Sequence, residues 1–344
     1  MILRANVVSR LSLLVAFVGF LSVSPSDAVA EAAEVRLSQQ YGLNFLPVVT
    51  VVERQLIEKH ARKVGIPDVK VISRQLGGGA AANDAILSGH VDFNATGIGP
   101  LISMWAKTSG GLNVRAVLPI ARTPTTLVTI DPRIQSIKDY LNTKDSQIAL
   151  PAPKVSVQAR VLQMAAAKEF GPDEMFSLDR VTVPMKNPDA YIALATGGSS
   201  VKSHFVIEPF TTMELKVEGA RSILSSYDVL GGKHTLTLLW TTEKFRENNP
   251  KLYGAVVAAF TEAMQWIVAN PAEAASMYAR VTKSKMSPDE IESIITDADK
   301  MEYSPVPMRT FDFTKFMYEI GAIKKKPEDW KDLFFPSAHE LPGS

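Results

Sequence analysis

The glycines Gly77-Gly78-Gly79 and the pair Gly97 and Gly99 are the residues of this chain whose type and spacing suggest chemistry. Each set stands where a short strand pattern gives way to a helical one. A helix start exposes unpaired N–H groups and about half a positive charge, so it can hold an anionic or carbonyl oxygen without any basic side chain. Glycine lets a ligand come close to the backbone, and it serves a tight turn equally well. The nucleotide-binding versions of such a cradle do not fit. A P-loop needs Lys-Ser/Thr after its last glycine, and Gly79 is followed by Ala80-Ala81-Ala82-Asn83. A dinucleotide fingerprint follows the first strand, whereas the triple glycine follows the second and has the wrong spacing.

No other constellation carries a reaction. The chain has no cysteine, which removes disulfides, thiolate metal sites and cysteine nucleophiles together. His60, His90, His204, His234 and His339 show no metal-ligand spacing, and His60, among charged neighbours on a helical stretch, is expected to face solvent. Neither Ser88-Gly89 nor Ser199-Ser200 lies in a G-x-S-x-G elbow. The runs "KSK" (283–285) and "KKK" (324–326) read as solvated surface. No catalytic residue, cofactor or metal site is expected.

The elements that must position the glycines follow from periodicity. Strands are expected at 35–39, 69–73, 91–95 and 114–120. Helices alternate with them: one over about 48–64 with Pro47 in its first turn, one over 80–87 and one from Pro100. This rhythm predicts a parallel, doubly wound sheet with both glycine turns after neighbouring strands at its carboxyl edge, where open α/β sheets bind ligands. The pattern restarts with strands at 126–130, 146–150, 180–184 and 203–207 and helices at about 156–169 and 188–196. Beyond Trp240 the chain turns helical, at 250–269, 271–281, 288–298 and 310–320.

Residues 1–30 have the form of a signal peptide: Arg4 and Arg10, an apolar run from Leu11 to Val23, and the small-x-small motif Ala28-Val29-Ala30. The expectation is cleavage near Ala30 and export to the periplasm without a lipid anchor. Removing these residues takes Arg4, Arg10 and Asp27 away, which leaves 35 of 37 basic and 35 of 36 acidic residues, a net charge of zero. Such a balance excludes bulk attraction to nucleic acid or an anionic membrane. About 310 residues without disulfides can hold themselves by their core, as two lobes.

The chain resembles the substrate-binding proteins of the nitrate/sulfonate/taurine class of ABC importers, a family that includes binders of pyrimidine precursors. The pieces that carry the resemblance are "YGLNFLPVV", "GGGAAANDAILSGHVDFNATGIGPL", "IALPAPKVSVQARVLQMAAAKEFG", "FVIEPF", "ENNPKLYGAVVAAFTEAMQWIVANPAEAASMYA" and "FMYEIGAIKKKPEDWKDLFF". It implies an α/β, two-lobed periplasmic-binding-protein fold of type II, with a ligand cleft between lobes joined by two crossovers. Residues 31–125 and 239–344 form the first lobe and 126–238 the second. The partners it implies are a small-molecule solute and the transmembrane subunits of an ABC permease, with the protein a monomer.

By position, the resemblance carries ligand contacts onto Asn44, Phe45, Gly78, Gly79, Thr96 and Gly97 in the first lobe and Ser156, Val157 and Glu208 in the second. Each also has a structural reading: Phe45 as core, Thr96 and Ser156 as helix caps, Glu208 at a helix start. Relatives that bind sulfonate or nitrate add basic or indole groups, and the nearest basic candidates here are Lys154 and Arg122. Glu208 in the cleft would repel a bare anion, which keeps a neutral or zwitterionic solute open beside an inorganic anion. Relatives that synthesise the thiamine pyrimidine depend on a cysteine-rich segment that this chain lacks. An exported enzyme using the same cleft, and a solute sensor for a membrane receptor, are the alternatives.

Overall fold

The computed structural model describes residues 31–344 apart from Lys144; the signal-peptide reading of residues 1–30 falls outside the described residues. The first half of the chain alternates β1 (Glu34–Gln39), α1 (Leu46–Glu53), α2 (Leu56–Lys63), β2 (Lys70–Gln75), α3 (Gly79–Leu87), β3 (Phe93–Gly97), α4 (Ile98–Lys107) and β4 (Arg115–Arg122). The chain then crosses at Thr123–Thr125 to β5 (Thr126–Thr129), β6 (Gln147–Leu150), α5 (Val157–Phe170), β7 (Thr182–Pro184), α6 (Asn187–Thr196), β8 (Val201–Val206), α7 (Phe210–Glu214), β9 (Arg221–Ser225) and α8 (Ser226–Leu230). It returns through Gly231–His234 to β10 (Thr235–Thr241). It finishes with α9 (Glu243–Asn248), α10 (Pro250–Ala269), α11 (Pro271–Thr282), α12 (Pro288–Ile295) and α13 (Thr310–Glu319).

Two five-stranded sheets result, in the orders β2-β1-β3-β10-β4 and β7-β6-β8-β5-β9. Neither is wholly parallel, which corrects the sequence expectation. β10 runs antiparallel to β3 and β4, and β5 runs antiparallel to β8 and β9. β5 and β10 are the two strands entered directly from the other sheet, and each enters against the local direction. β2 and β3 are not neighbours either, since β1 lies between them. Their following turns still share one sheet edge.

Local chemistry explains the boundaries. The expected helix over 48–64 breaks in two because Gln55 adopts a left-handed conformation, φ 49°. Pro250, Pro271 and Pro288 stand in the first turns of their helices, where the missing N–H costs nothing. Ser287 and Glu290 close a capping box on α12. α10 is long and apolar enough to cross a membrane, yet Leu252, Val256, Ala259, Phe260, Ala263 and Ile267 recur at helical spacing and are buried against α1, α2 and β4. Burying each of the larger of these side chains contributes about 1.5–3 kcal/mol.

β9 and β10 were not expected from the sequence. "RSILS" is only half-buried and runs straight into α8, while "TLTLLWT", buried along its whole length, alternates Thr and Leu only over its first four residues. The core does not divide cleanly between the sheets. Ile98, Leu101 and Trp105 of α4 share one apolar cluster with Val161 and Leu162 of α5 and Phe313 and Met317 of α13.

Candidate functional site

Every connection that leaves a carboxyl end of β1, β2, β3, β6, β7 or β8 leads into a helix start, and these starts gather where the two sheets face each other. Asn94 anchors one of them: its side chain accepts from the Ser38 hydroxyl and donates to the carbonyl of Ala82, 2.8 Å away, tying β1, β3 and α3 together. Between the sheets lies a narrow throat of about 30 Å³, enough for roughly one or two water molecules. Its walls include Gly79 at the start of α3, Gly97 at the start of α4, and Ser156 and Val157 at the start of α5. Three helix N-termini thus bring their partial positive charge to one small volume, two from the first sheet and one from the second. Among the described residues, no charged side chain and no histidine lines it.

The glycines turn out to serve the approach of one sheet's loops to the other's. A Cβ on Gly78 would stand 2.7 Å from the carbonyl oxygen of Pro151, one on Gly97 2.7 Å from Val157 Cγ2, and one on Gly99 2.6 Å from the carbonyl oxygen of Val155. Gly77 meets Lys186 in the same way, at 2.9 Å. Gly78 is extended (φ 173°) and Gly97 has φ −65°, so both are glycine for space rather than for backbone conformation. Two hydrogen bonds cross the same seam: Leu43 N–H donates to the carbonyl of Glu208 at 2.9 Å, and Asn187 Nδ2 donates to the carbonyl of Tyr41 at 3.1 Å.

Of the residues expected at the site, Asn44, Phe45, Gly79, Thr96, Gly97, Ser156 and Val157 line the throat, and Gly78 stands beside it against Pro151. Ser156 also caps α5, accepting from Ala159 N–H at 3.2 Å. Thr96 caps no helix; its hydroxyl accepts from Gln40 Nε2. Phe45 is both core, 3 % exposed, and wall. Asn44 donates from Nδ2 to Thr237 Oγ1 at 2.6 Å, while its buried Oδ1 has no partner, an acceptor that a solute N–H or O–H could satisfy.

Glu208 is not among the lining residues. Its carboxylate turns into its own helix and accepts from the N–H and the hydroxyl of Thr212, while burial pushes its pKa above the ordinary carboxylate value. The repulsion expected from it therefore does not act in the throat. The basic candidates stand away as well. Arg122 is held by the Glu302 carboxylate and the carbonyl of Val306, and Lys154 lines neither the throat nor the space outside it.

Nine lining residues were not among the expected contacts, Gln40, Tyr41, Asn187 and Thr237 among them. Tyr41 opens the "YGLNFLPVV" piece, and Gln40 immediately precedes it. Asn187 opens α6, and Thr237 lies on the unrecognised β10. Asn187 is held from behind. Its Oδ1 faces His204 Nε2 at 3.2 Å, and His204 Nδ1 faces Glu214 Oε1 at 2.6 Å. His204 and Glu214 are both fully buried. Because Asn187 Nδ2 donates to Tyr41, its Oδ1 must accept, so His204 carries a hydrogen on Nε2. Burial raises the Glu214 pKa, and His204 opposes that rise.

The two chain crossings meet at a second buried histidine. Thr125 N–H donates to Ser226 Oγ at 2.9 Å, the Ser226 hydroxyl donates to His234 Nε2 at 2.8 Å, and His234 Nδ1 donates to the carbonyl of Thr235 at 3.1 Å. A third segment braces them: Arg122 and Glu302 pair as antiparallel neighbours, and Thr235 and Met308 exchange hydrogen bonds. His60, expected in solvent, is partly covered and bonded to Glu262 at 2.8 Å, because α10 packs on α2.

Outside the throat the same seam opens into a larger chamber of about 390 Å³, which shares Gln40, Tyr41 and Phe45 with it. α6 and α7 form one wall and the end of α11 the other.

The family model described as NMT1/THI5 like matches residues 67–274. In structure, the chain is similar to the alkanesulfonate-binding protein SsuA from Xanthomonas axonopodis pv. citri bound to MOPS, with TM-score 0.66, 17% identity and coverage of 85% of this chain and 93% of that one. It is similar to the periplasmic aliphatic sulphonate binding protein SsuA from Escherichia coli, with TM-score 0.63, 19% identity and coverage of 91% and 95%. It is also similar to the periplasmic nitrate-binding protein NrtA from Synechocystis PCC 6803, with TM-score 0.66, 15% identity and coverage of 88% and 84%. These likenesses establish a periplasmic-binding-protein fold. No curated protein matches the chain in sequence.

Proposed function

The chain belongs to the NMT1/THI5-like family, and on that premise we propose that it is the exported solute-binding component of an ABC importer, working from the periplasm. The reading rests above all on the glycine seam. Gly78 and Gly99 allow one sheet's helix starts to meet the other side's backbone, and Gly97 allows contact with the Val157 side chain, around a throat ringed by helix N-termini. Such a seam suits two lobes that close on a solute, the first built on residues 31–125 and 239–344 and the second on 126–238. Closure excludes water and engages donors from both sides together, and the rejoined outer faces present a matched surface to the permease. The crossings at Thr123–Thr125 and Gly231–His234 are the hinge. The proposed solute contacts are Asn44, Phe45, Gly78, Gly79, Thr96, Gly97, Ser156 and Val157. Glu208 acts instead from behind them, accepting Leu43 through its carbonyl. The relatives' names, sulfonate and nitrate binders, favour binding over catalysis, as does a throat without an acid, a base or a charged nucleophile among the described residues.

A thermal-shift screen of the purified protein against nitrate, taurine, alkanesulfonates, pyrimidines and arylcarboxylates tests this. A solute at a hundred times its Kd stabilises the protein by about 2.7 kcal/mol, which moves the melting temperature by several degrees. Small-angle scattering should report compaction with the same solute. Gly97→Val places a methyl group into Val157 without backbone strain, so it should leave the protein folded and abolish both the compaction and most of the shift. A protein that neither shifts nor compacts with any of these solutes contradicts the proposal.

A further inference from the structure

Resting on the solute-binding reading, the structure assigns the outer chamber a ligand class: we infer that it receives the aromatic body of an organic anion whose acid group sits at Lys283 and Lys285. The throat, at about 30 Å³, has no room for such a body. The chamber, at about 390 Å³, lies within the ~300–1,000 Å³ range of small-molecule sites.

Its walls have the required chemistry. Tyr41, Phe45, Tyr191, Phe210 and Tyr278 bring aromatic surface from both sides of the seam. Ile192 and Val281 line the chamber from opposite walls and are 53% and 37% exposed, large apolar side chains left uncovered by the described residues. The charges have one sign. Lys283 and Lys285 are the only charged residues among those described that line the space, and neither forms an ion pair with a described carboxylate. The left-handed backbone of Lys283, φ 52°, ends α11 and turns the "KSK" run back along the chamber rim. That run, expected from the sequence to be simple solvated surface, therefore borders an apolar volume. An unbalanced pair of ammonium groups beside a five-ring pocket is complementary to an arylalkyl carboxylate or sulfonate. The Gln39, Gln40 and Gln75 side chains at the inner wall supply neutral polar partners and no competing charge.

Isothermal titration with 3-phenylpropionate, its neutral amide 3-phenylpropionamide and taurine tests the assignment, using wild-type protein, Lys283→Glu/Lys285→Glu and Ile192→Asp. All three substituted side chains are exposed, so folding should be retained, which circular dichroism checks. The expected result is that 3-phenylpropionate binds wild type at least tenfold more tightly than the amide or taurine. Charge reversal should weaken the acid at least tenfold and leave the amide unchanged, and Ile192→Asp should weaken both aromatic probes. If taurine binds best, with equal affinity in wild type and both variants, the chamber assignment is overturned while solute binding stands. If no probe binds, the chamber assignment falls, and the solute-binding reading falls only if the wider solute screen is silent as well.

Discussion

His204 and His234 are equally buried and oppositely wired. His204 stands behind the seam with a carboxylate on Nδ1 and an amide oxygen on Nε2, and that amide reaches across to Tyr41. His234 stands at the crossings with no carboxylate at all: its Nδ1 donates to a backbone carbonyl, its Nε2 accepts from Ser226, and the Tyr227 and Phe313 rings stack edge-on at 5.4 and 5.2 Å. Burial, aided by nearby Arg309, depresses its pKa to about 4. The first histidine is therefore one member of a buried polar relay that orients a donor toward the opposite side. The second is a neutral spacer that joins two strands of chain through a serine hydroxyl. The contrast is between a polar relay at the seam of the two sheets and a neutral joint at the crossings that connect them.

The largest expected effect breaks the relay. Glu214→Ala leaves His204 buried without its partner and should destabilise the fold by about 3–5 kcal/mol in urea unfolding. A loss below about 1 kcal/mol means that the pair is not coupled as described. Next, acid titration separates the two histidines' surroundings. For His234 the folded pKa lies below the ordinary 6.5, so its contribution is complete above pH 6.5 and is lost as pH falls toward about 4, up to about 3 kcal/mol in all. Glu214 acts in the opposite sense. Its raised folded pKa favours the fold below the ordinary 4.5, and that contribution is lost as pH rises through the folded value. Stability measured against pH in His234→Gln should lose the slope between 6.5 and 4 and keep whatever Glu214 supplies.

Ser226→Ala removes the hydroxyl shared by Thr125 and His234 and should cost about 1–3 kcal/mol, since it leaves a buried donor and a buried acceptor unpaired. Unchanged stability means that the crossings do not depend on this bridge. The smallest stability effect, about 1 kcal/mol, is expected for Asn187→Ala. Its main consequence should appear in solution scattering, as a shift of the unliganded protein toward more open forms. An unchanged profile places the cross-seam bond among incidental contacts.

Much of the fold was readable because its signals are local. The alternation at β1 and β3 and the apolar run at β6 marked strands, and the prolines at 250, 271 and 288 marked helix starts within a residue of where they stand. β10 was missed because its Thr-Leu alternation lasts only four residues before Leu239 and Trp240 break it, and the break at Gln55 because nothing in its neighbours demands a left-handed residue. The site was legible in part. The glycine turns and "YGLNF" contribute to the throat's lining, while Asn187 and Thr237 reach it from other parts of the chain and carry no motif. Glu208 illustrates the converse: "EPF" looks like a cleft carboxylate, yet Thr212, four residues on, captures it.

What the sequence by itself determined was the set of helix starts and their glycines, since capping, proline placement and apolar periodicity act over a few residues. Only the tertiary structure decided what those glycines face. The Cβ of residue 97 is excluded by Val157, sixty residues away at the start of α5, and the two lysines of "KSK" share a chamber with Tyr191 and Phe210 only because the end of α11 stands across from α6 and α7. Such contacts depend on which surfaces the crossings bring together. Neither chain spacing nor residue type encodes that, because closing a long loop adds little free energy with its length and leaves many partners sterically open until packing selects one.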